Sequence, residues 1–410
     1  MAGTRKVMLF VESNTSGTGR LMLQAARTRG YEPVLLAADV ARYRFAAEDG
    51  IGVVQADTTD AAAIVTLFRE RSWRSRLAGV LSTSEYFIAV ASEVAARLDL
   101  PGPAIAAVRA ARDKDSQHRR LSAAGVPVPA GTVVRRVDEI ERVASRLHFP
   151  VVAKPTMGSG STGARLCVGV EELQEHVTRL LAARANERGL PVPSEALLQE
   201  YIDGPQYSVE TLGLQVVGIT ANHIGPPPCF VEVGHEHPAE LDPIAARQLR
   251  TVARRALAAL GLTWGPAHVE LRMAAGGPRV IEVNARLAGG WIPELVRLSS
   301  GVDLIAGIVD LSAGHPLRIR RRHRRIACIR FLVADRDGVI TAVTGADGTA
   351  MADGVVDVRL YKHVGEDVRC FGDFRDRIGH AISVAENPLA AIAAAEQALK
   401  CLSVRVESTK

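Results

Sequence analysis

The sequence predicts a three-domain protein of mixed α/β and α+β class, opened by a doubly wound parallel sheet. Three observations predict it. Over the first hundred residues short apolar strands alternate with amphipathic helices, the pattern of a parallel sheet covered on both faces. From about residue 126 strands arrive in runs with only occasional helices between them, an α+β layout. The 410 residues are enough for two to three domains at about 150 residues each.

The elements follow in order. "KVMLFVES" is a strand, "GRLMLQAARTRG" a helix closed by Gly30, and "EPVLLAA" a second strand. "GVVQAD", a helix near 61–71, the strand "LAGVLST" and the helix "YFIAVASEVAARL" complete the first region, expected to be a Rossmann-like domain over 1–110. The loop "SNTSGTG", Ser13–Gly19, suits an anion at a helix start or is a plain turn between strand and helix. It lacks a full dinucleotide fingerprint. Residues 101–125 are helical connectors. Strands are then expected at "GTVVRR", "FPVVAKP", "ARLCVGV", "ALLQEYI", "QYSVETLGL", "QVVGITANH" and "FVEVGH", with helices at 137–148, 171–187 and 243–260. A second domain is expected over 111–323, with a central subdomain at about 126–202. The third, 324–410, pairs the strands "RIACIRFLVA", "GVITAVTG" and "VVDVRLY" with the helix "PLAAIAAAEQALKCL" and the strand "SVRVE".

Composition narrows the function. Net charge is +5, and lysine occurs at only six positions, 6, 114, 154, 362, 400 and 410. Arginines cluster from Arg318 to Arg325, but aromatic residues are only 4% and no nucleic-acid motif accompanies them. A solvated connector is therefore expected, with no nucleic-acid partner. The five cysteines are scattered without C-x-x-C spacing, which fits a reducing cytoplasm. No run approaches the roughly 20 apolar residues of a membrane span, and the apolar run at the N-terminus is too short for a secretion signal.

The strongest constellation is "PAHVELRMAAGGPRVIEVNARLAGG", residues 266–290, two strands flanking a Gly-containing turn. A turn centred near Gly276 sets Glu270 opposite Glu282. Strand alternation then turns Val269, Leu271, Met273, Ile281 and Val283 into a core, and His268, Glu270, Arg272, Glu282, Asn284 and Arg286 to the other face. Two directly opposed carboxylates repel, and a hard divalent cation such as Mg²⁺ removes that cost while sharing its shell with phosphates. Arg286 is placed to balance charge on a transferring group. The competing reading is a solvated hairpin whose glutamates pair with Arg272 and Arg286. The Gly-rich "LAGGWIP" after it favours close approach of a ligand.

Lys154 lies in "FPVVAKPTMGSGSTGARLCVGV", a lysine inside an apolar strand followed by a loop, Gly158–Gly163, whose amides and hydroxyls suit phosphate. This is not a Walker A loop. "LLQEYIDGPQYSVE" offers extended backbone beside Tyr201 and Ile202 for an adenine edge. Three histidines, His223, His235 and His237, invite a zinc reading, but no fourth ligand stands at a familiar spacing. Ser84 and Glu85 end a parallel strand, where open sheets place ligands. Trp291 is read either as shaping a substrate pocket or as core.

Taken together, these residues resemble the ATP-grasp superfamily, and within it the amino-acid ligase branch. The likeness runs in order through "GVLSTSEYFIAVASEVAARLDLPGP", "RDKDSQHRRLSAAGVPVP", "FPVVAKPTMGSGSTGARL", "QEYIDGPQYSVE", "FVEVGHEHPAEL", "HVELR", "IEVNARLAGGWIPELV" and "RIGHAISVAENPLAAIAAAEQAL". It implies a three-domain ATP-grasp fold and an enzyme that activates a carboxylate as an acyl phosphate and couples it to an amine, the substrates being amino acids. Lys114 and Lys154 would contact ATP phosphates, with Gly158, Ser159, Gly160 and Ser161 in the lid loop. Gln199, Glu200, Tyr201 and Ile202 would hold adenine. Gln206 stands where many members carry a glutamate, so the usual charge is absent. Glu270, Glu282 and Asn284 would hold one or two Mg²⁺ ions, with Mn²⁺ as the alternative, and Arg286 with Lys154 would be catalytic. His235 and Glu236, in a loop over the acceptor pocket, would join Ser84, Glu85, His268, Arg286, Gly289 and Trp291 as substrate contacts. The resemblance also implies a homodimer.

Two other functions stay open. One is acyl transfer to a thiol such as that of a carrier protein. The other is a nucleotide-binding module without catalysis, against which the intact Lys154, Glu270, Glu282, Asn284 and Arg286 set argues. "RIGHAISVAENP" also resembles biotin carboxylase, but the His-rich segment suits a substrate larger than bicarbonate.

Overall fold

In the strand Val7–Val11 every side chain is fully buried, with Val7, Leu9 and Val11 on one face and Met8 and Phe10 on the other. A strand buried on both sides needs cover on both. Helices Ala61–Glu70 and Ile88–Arg97 cover the first face through Ile64, Phe68 and Val94. Helix Thr18–Thr28 covers the second through Met22 and Leu23, joined by helix Leu304–Ser312 from much later in the chain. The strand order is Gly52–Gln55, Glu32–Ala37, Val7–Val11, Leu77–Leu81, all parallel. The order reverses between the last two, the point where such sheets take ligands. Glu12, Ser13 and the segment to Glu85 lie at the strand ends there. This computed structural model describes residues 5–408 apart from 16, 71, 72, 74, 147 and 346–352. Position 71 of the expected helix and Ser16 of the Ser13–Gly19 loop lie outside the described residues.

A second, four-stranded sheet holds Gly131–Val134, Ala196–Glu200, Val151–Pro155 and Arg165–Cys167 in that order. Helix Val170–Ala182 packs on it through Leu173 and Val177. The expected helix at 171–187 therefore stops five residues early, and residues 183–192 form a loop that crosses to the N-terminal sheet.

The third sheet has eight strands, in the order Gly277–Asn284, Pro266–Ala274, Gln206–Leu212, Gln215–Ile224, Glu232–His237, Ile326–Val333, Arg377–Ala385, Val355–Leu360. It runs straight through the boundary expected at 323/324, because Glu232–His237 pairs with Ile326–Val333. Part of the last segment thus extends the sheet of the middle one, while its strands Gly338–Thr344, Asp367–Val368 and Ser403–Glu407 form a separate three-stranded sheet. The hairpin at its edge rests on helix Pro243–Leu260. Asp242 caps that helix by accepting from Ile244 and Ala245 N–H, and Gly261, at φ 76°, closes it. Leu249, Ala253 and Leu257 on the helix pack against Val269, Leu271 and Val283 of the hairpin. Among the described residues no helix is long and apolar enough to cross a membrane.

Candidate active site

The hairpin pairs Glu270 with Glu282, Val269 with Val283 and His268 with Asn284. The route to that pairing differs from the one expected. The strands meet at Ala274 and Gly277 across a two-residue turn, which alone would set Glu270 against Ile281. A bulge between Glu270 and Leu271 in the register leaves Ile281 as the extra residue and restores the opposition of the two glutamates. Val280 accordingly takes the core place expected for Ile281, at 2% exposure. Ile281 instead lines a cavity of about 1180 Å³, as do Glu270, Glu282, Asn284, Arg286 and His268.

Cations from three other elements face this pair. Lys114, at the start of helix Lys114–Ala123, reaches Glu282 at 3.2 Å and donates to the Gly158 carbonyl at 3.0 Å. Lys154 donates to the Ile281 carbonyl at 3.5 Å. Burial brings its ammonium down to about 8, partly offset by Glu282. Burial also pushes both glutamates up. In Glu282 this is outweighed by Lys114 and Lys154, so its carboxyl sits below the ordinary range. In Glu270 burial and the nearby Glu282 prevail over His268, and its carboxyl sits above it. His268 bridges Glu210, at 2.8 Å, and Glu270, at 3.3 Å, and these carboxylates overcome burial to raise it to about 10. Arg286 meets Glu85 of the N-terminal sheet at 2.5 Å and Ser159 Oγ of the lid loop at 3.4 Å. The Asn284 amide, turned with its nitrogen toward the carboxylates, donates to Glu282 at 3.0 Å and Glu85 at 3.2 Å. Among the described residues neither Arg272 nor Arg286 forms an ion pair with the opposed glutamates, as a solvated hairpin requires; Arg286 pairs with Glu85 and acts on Glu282 and Glu270 only through its field.

Two carboxylates and an amide, drawn from one strand face with their repulsion relieved only by neighbouring cations, are hard oxygen donors of the kind Mg²⁺ takes. The loop at 158–162 lines the same cavity. Gly160 and Ser161 adopt φ near +60°, and the Gly160 carbonyl accepts from Phe374 N–H at 3.2 Å. A Cβ at Gly160 would lie 2.5 Å from the Phe374 ring, so only glycine fits beneath it. Farther along, Gln199, Glu200, Tyr201 and Ile202 line the same cavity with Val152 and Phe230. Arg272 lies 5.1 Å over the Tyr201 ring, donates to the Ile202 carbonyl at 3.0 Å and donates to Gln206 at 3.2 Å. Gln206 in turn donates to Glu270 at 3.4 Å. Ser84, Gly289 and Trp291 also line the cavity. Trp291 holds φ 62° at the start of helix Ile292–Ser300, and its indole N–H donates to Tyr361 at 3.1 Å.

The segment with the histidines is different. Residues 232–237 are a strand, as expected for "FVEVGH", and not a loop over the acceptor pocket as the resemblance implied; neither His235 nor Glu236 lines the cavity. Glu236 pairs with Arg330 at 2.5 Å and His223 at 2.8 Å. His235 bonds Asn222 at 3.1 Å and His237 bonds Thr220 at 3.0 Å, so the three histidines do not converge as zinc ligands. The cavity residue from this strand is Glu232, paired with Arg377 at 2.5 Å. Also unforeseen were Glu210, Glu187 and Arg188. Glu210 was findable, since it shares the strand face of Gln206 two pleats on.

Residues 147–294 match the model of the ATP-grasp domain, and residues 330–407 that of the L-amino acid ligase C-terminal domain 2. An uncharacterized protein, y4rH, of Sinorhizobium fredii is 39% identical over 381 residues, 93% of this chain and 79% of that protein. Carnosine synthase 1 of Gallus gallus is 30% identical over 313 residues, 70% of this chain, and the match spans only 33% of that longer protein. The crystal structure of an L-amino acid ligase from Bacillus licheniformis superposes with a TM-score of 0.82 at 20% identity, covering 99% of this chain and 100% of that one. The chain belongs to the ATP-grasp family of ATP-dependent, carbon–nitrogen bond-forming ligases. Within it, the chain is of the L-amino acid ligase type.

Proposed function

We propose that the protein joins the carboxylate of one amino acid to the amino group of a second amino acid or amine, through an acyl phosphate. The opposed Glu270 and Glu282, faced by Lys114, Lys154 and Arg286 in one cavity, are the observation that carries this reading. Glu270, Glu282 and Asn284 would hold one or two Mg²⁺ ions, which when bound neutralise phosphate charge and orient it.

The residues supply position and charge. Lys114, Lys154 and the 158–163 loop hold the phosphates, and residues 199–202 hold adenine. A substrate carboxylate oxygen attacks the γ-phosphorus, and the bond to the bridging oxygen breaks to release ADP. Arg286, aimed by Glu85, offsets the meeting of two anions. The amine nitrogen then attacks the acyl carbon and phosphate leaves, while the closed lid keeps water out. Ser84 and Glu85 at the strand ends belong to the substrate side. The match of residues 330–407 to an L-amino acid ligase domain supports amino acids as the substrate class.

Hydroxylamine trapping with ATP, Mg²⁺ and each amino acid in turn tests the activation step. A hydroxamate is expected with at least one acid, and with an amino-acid pair a product mass equal to the two minus water. ATP cleavage with no hydroxamate from any acid overturns the reading.

A further inference from the structure

Resting on that reading, we infer that Arg188, carried on the lid-subdomain loop 183–192, binds the unreacted carboxylate of the acceptor, so that the acceptor is an amino acid and not a simple amine. Joining two amino acids consumes the donor's carboxylate at the phosphate end and leaves the acceptor's intact. That anion needs a cation inside the cavity and away from the phosphates.

Most cavity cations are already committed. Lys114 pairs with Glu282, Arg286 with Glu85, Arg377 with Glu232 and Arg375 with Asp373. Lys154 and Arg272 stand at the nucleotide end, Arg42 pairs with Asp39, Lys362 donates to the Asp367 carbonyl, and Arg369 is exposed to solvent. Arg188 is half-buried and, among the described residues, has no carboxylate partner. One terminal nitrogen donates to the Ser13 carbonyl at 2.7 Å and the Tyr43 hydroxyl at 3.2 Å. That hydroxyl in turn donates to Glu12, which also accepts from Thr58 and Ala38. The rest of the guanidinium is left for a ligand.

The loop also sets Arg188 at the correct end of the cavity. Glu187 accepts from Tyr86 at 2.5 Å, and Tyr86 directly follows Glu85, which holds Arg286. Arg188 lines the cavity with Asn14, Thr15 and Ser84 at the ends of the parallel strands.

The test compares an accepted amino-acid acceptor with the amine that lacks only its carboxylate. Arg188→Gln is expected to raise KM for the amino acid about ten- to a hundredfold, the worth of a charge-assisted hydrogen bond, and KM for the amine much less. Arg188→Lys should recover part of the loss. Tyr86→Phe, which keeps the guanidinium but removes the hydrogen bond that places its loop, should raise KM for the amino acid less than Arg188→Gln does and leave KM for the amine nearly unchanged. An equal effect of Arg188→Gln on both acceptors, no effect on either, or a carboxylate-dependent effect found only in Lys362→Met on the opposite rim overturns the inference. Hydroxamate formation by the wild type separates these failures from failure of the ligase reading itself.

Discussion

Two regions of the large sheet carry dense clusters of titratable residues, and they meet the cavity differently, one with its whole polar face and the other through Glu232 alone. Residues 266–286 present His268, Glu270, Glu282, Asn284 and Arg286 to the cavity, each met by a charge from another part of the chain. Residues 232–237 present His235, Glu236 and His237, whose partners lie within the sheet itself. A cluster that satisfies itself stabilises the fold. A cluster that leaves like charges opposed awaits a ligand.

The sharpest way to break this contrast is Glu282→Ala, expected to lower ATP-dependent coupling on the order of 10³-fold with the circular dichroism spectrum and melting temperature retained. Wild-type turnover would erase the distinction. Lys154→Met is expected to cost about 10²-fold in kcat, measured by phosphate release. On the other strand the effects should invert. Glu236→Gln should leave turnover within about twofold but lower the unfolding free energy by about 1–3 kcal/mol, since Arg330 loses its buried partner. Denaturant melts alongside kinetics check both halves.

A further contrast concerns pH. Burial holds His235 and His237 each down at about 4, below the ordinary 6.5. Between pH 6.5 and about 4 the unfolded chain therefore holds protons that the folded chain does not. Stability rises with pH across that window and falls on acidification, by up to about 1.4 kcal/mol per pH unit for each such histidine. His237→Asn should flatten the dependence of unfolding free energy on pH in that window by about half of the two histidines' share. An unchanged slope would show that His237 is not held neutral in the fold.

Much of the fold was legible because it is written locally. The apolar run in Val7–Val11 and the cap and stop of Pro243–Leu260 are set by neighbouring residues. The hairpin was legible as well, although the turn and the bulge that produce its pairing were not, because a bulge depends on which side chain the core accepts and the core is made by distant helices. The 232–237 segment was legible as a strand, but which of its side chains face the cavity was not, because its orientation is fixed by pairing with Ile326–Val333, far along the chain. Glu187 and Arg188 had no signal at all. They enter the cavity only because the helix before them ends at Ala182 and the loop crosses to another sheet.

Calorimetric titration of ATP, with Mg²⁺ and again with EDTA, into the wild type and into Glu270→Gln/Glu282→Gln tests the central claim most directly. If the opposed carboxylates grip the metal that carries the nucleotide, the wild type binds ATP far more tightly with Mg²⁺ than without, and the double variant loses that difference. The same metal dependence in both proteins would contradict it.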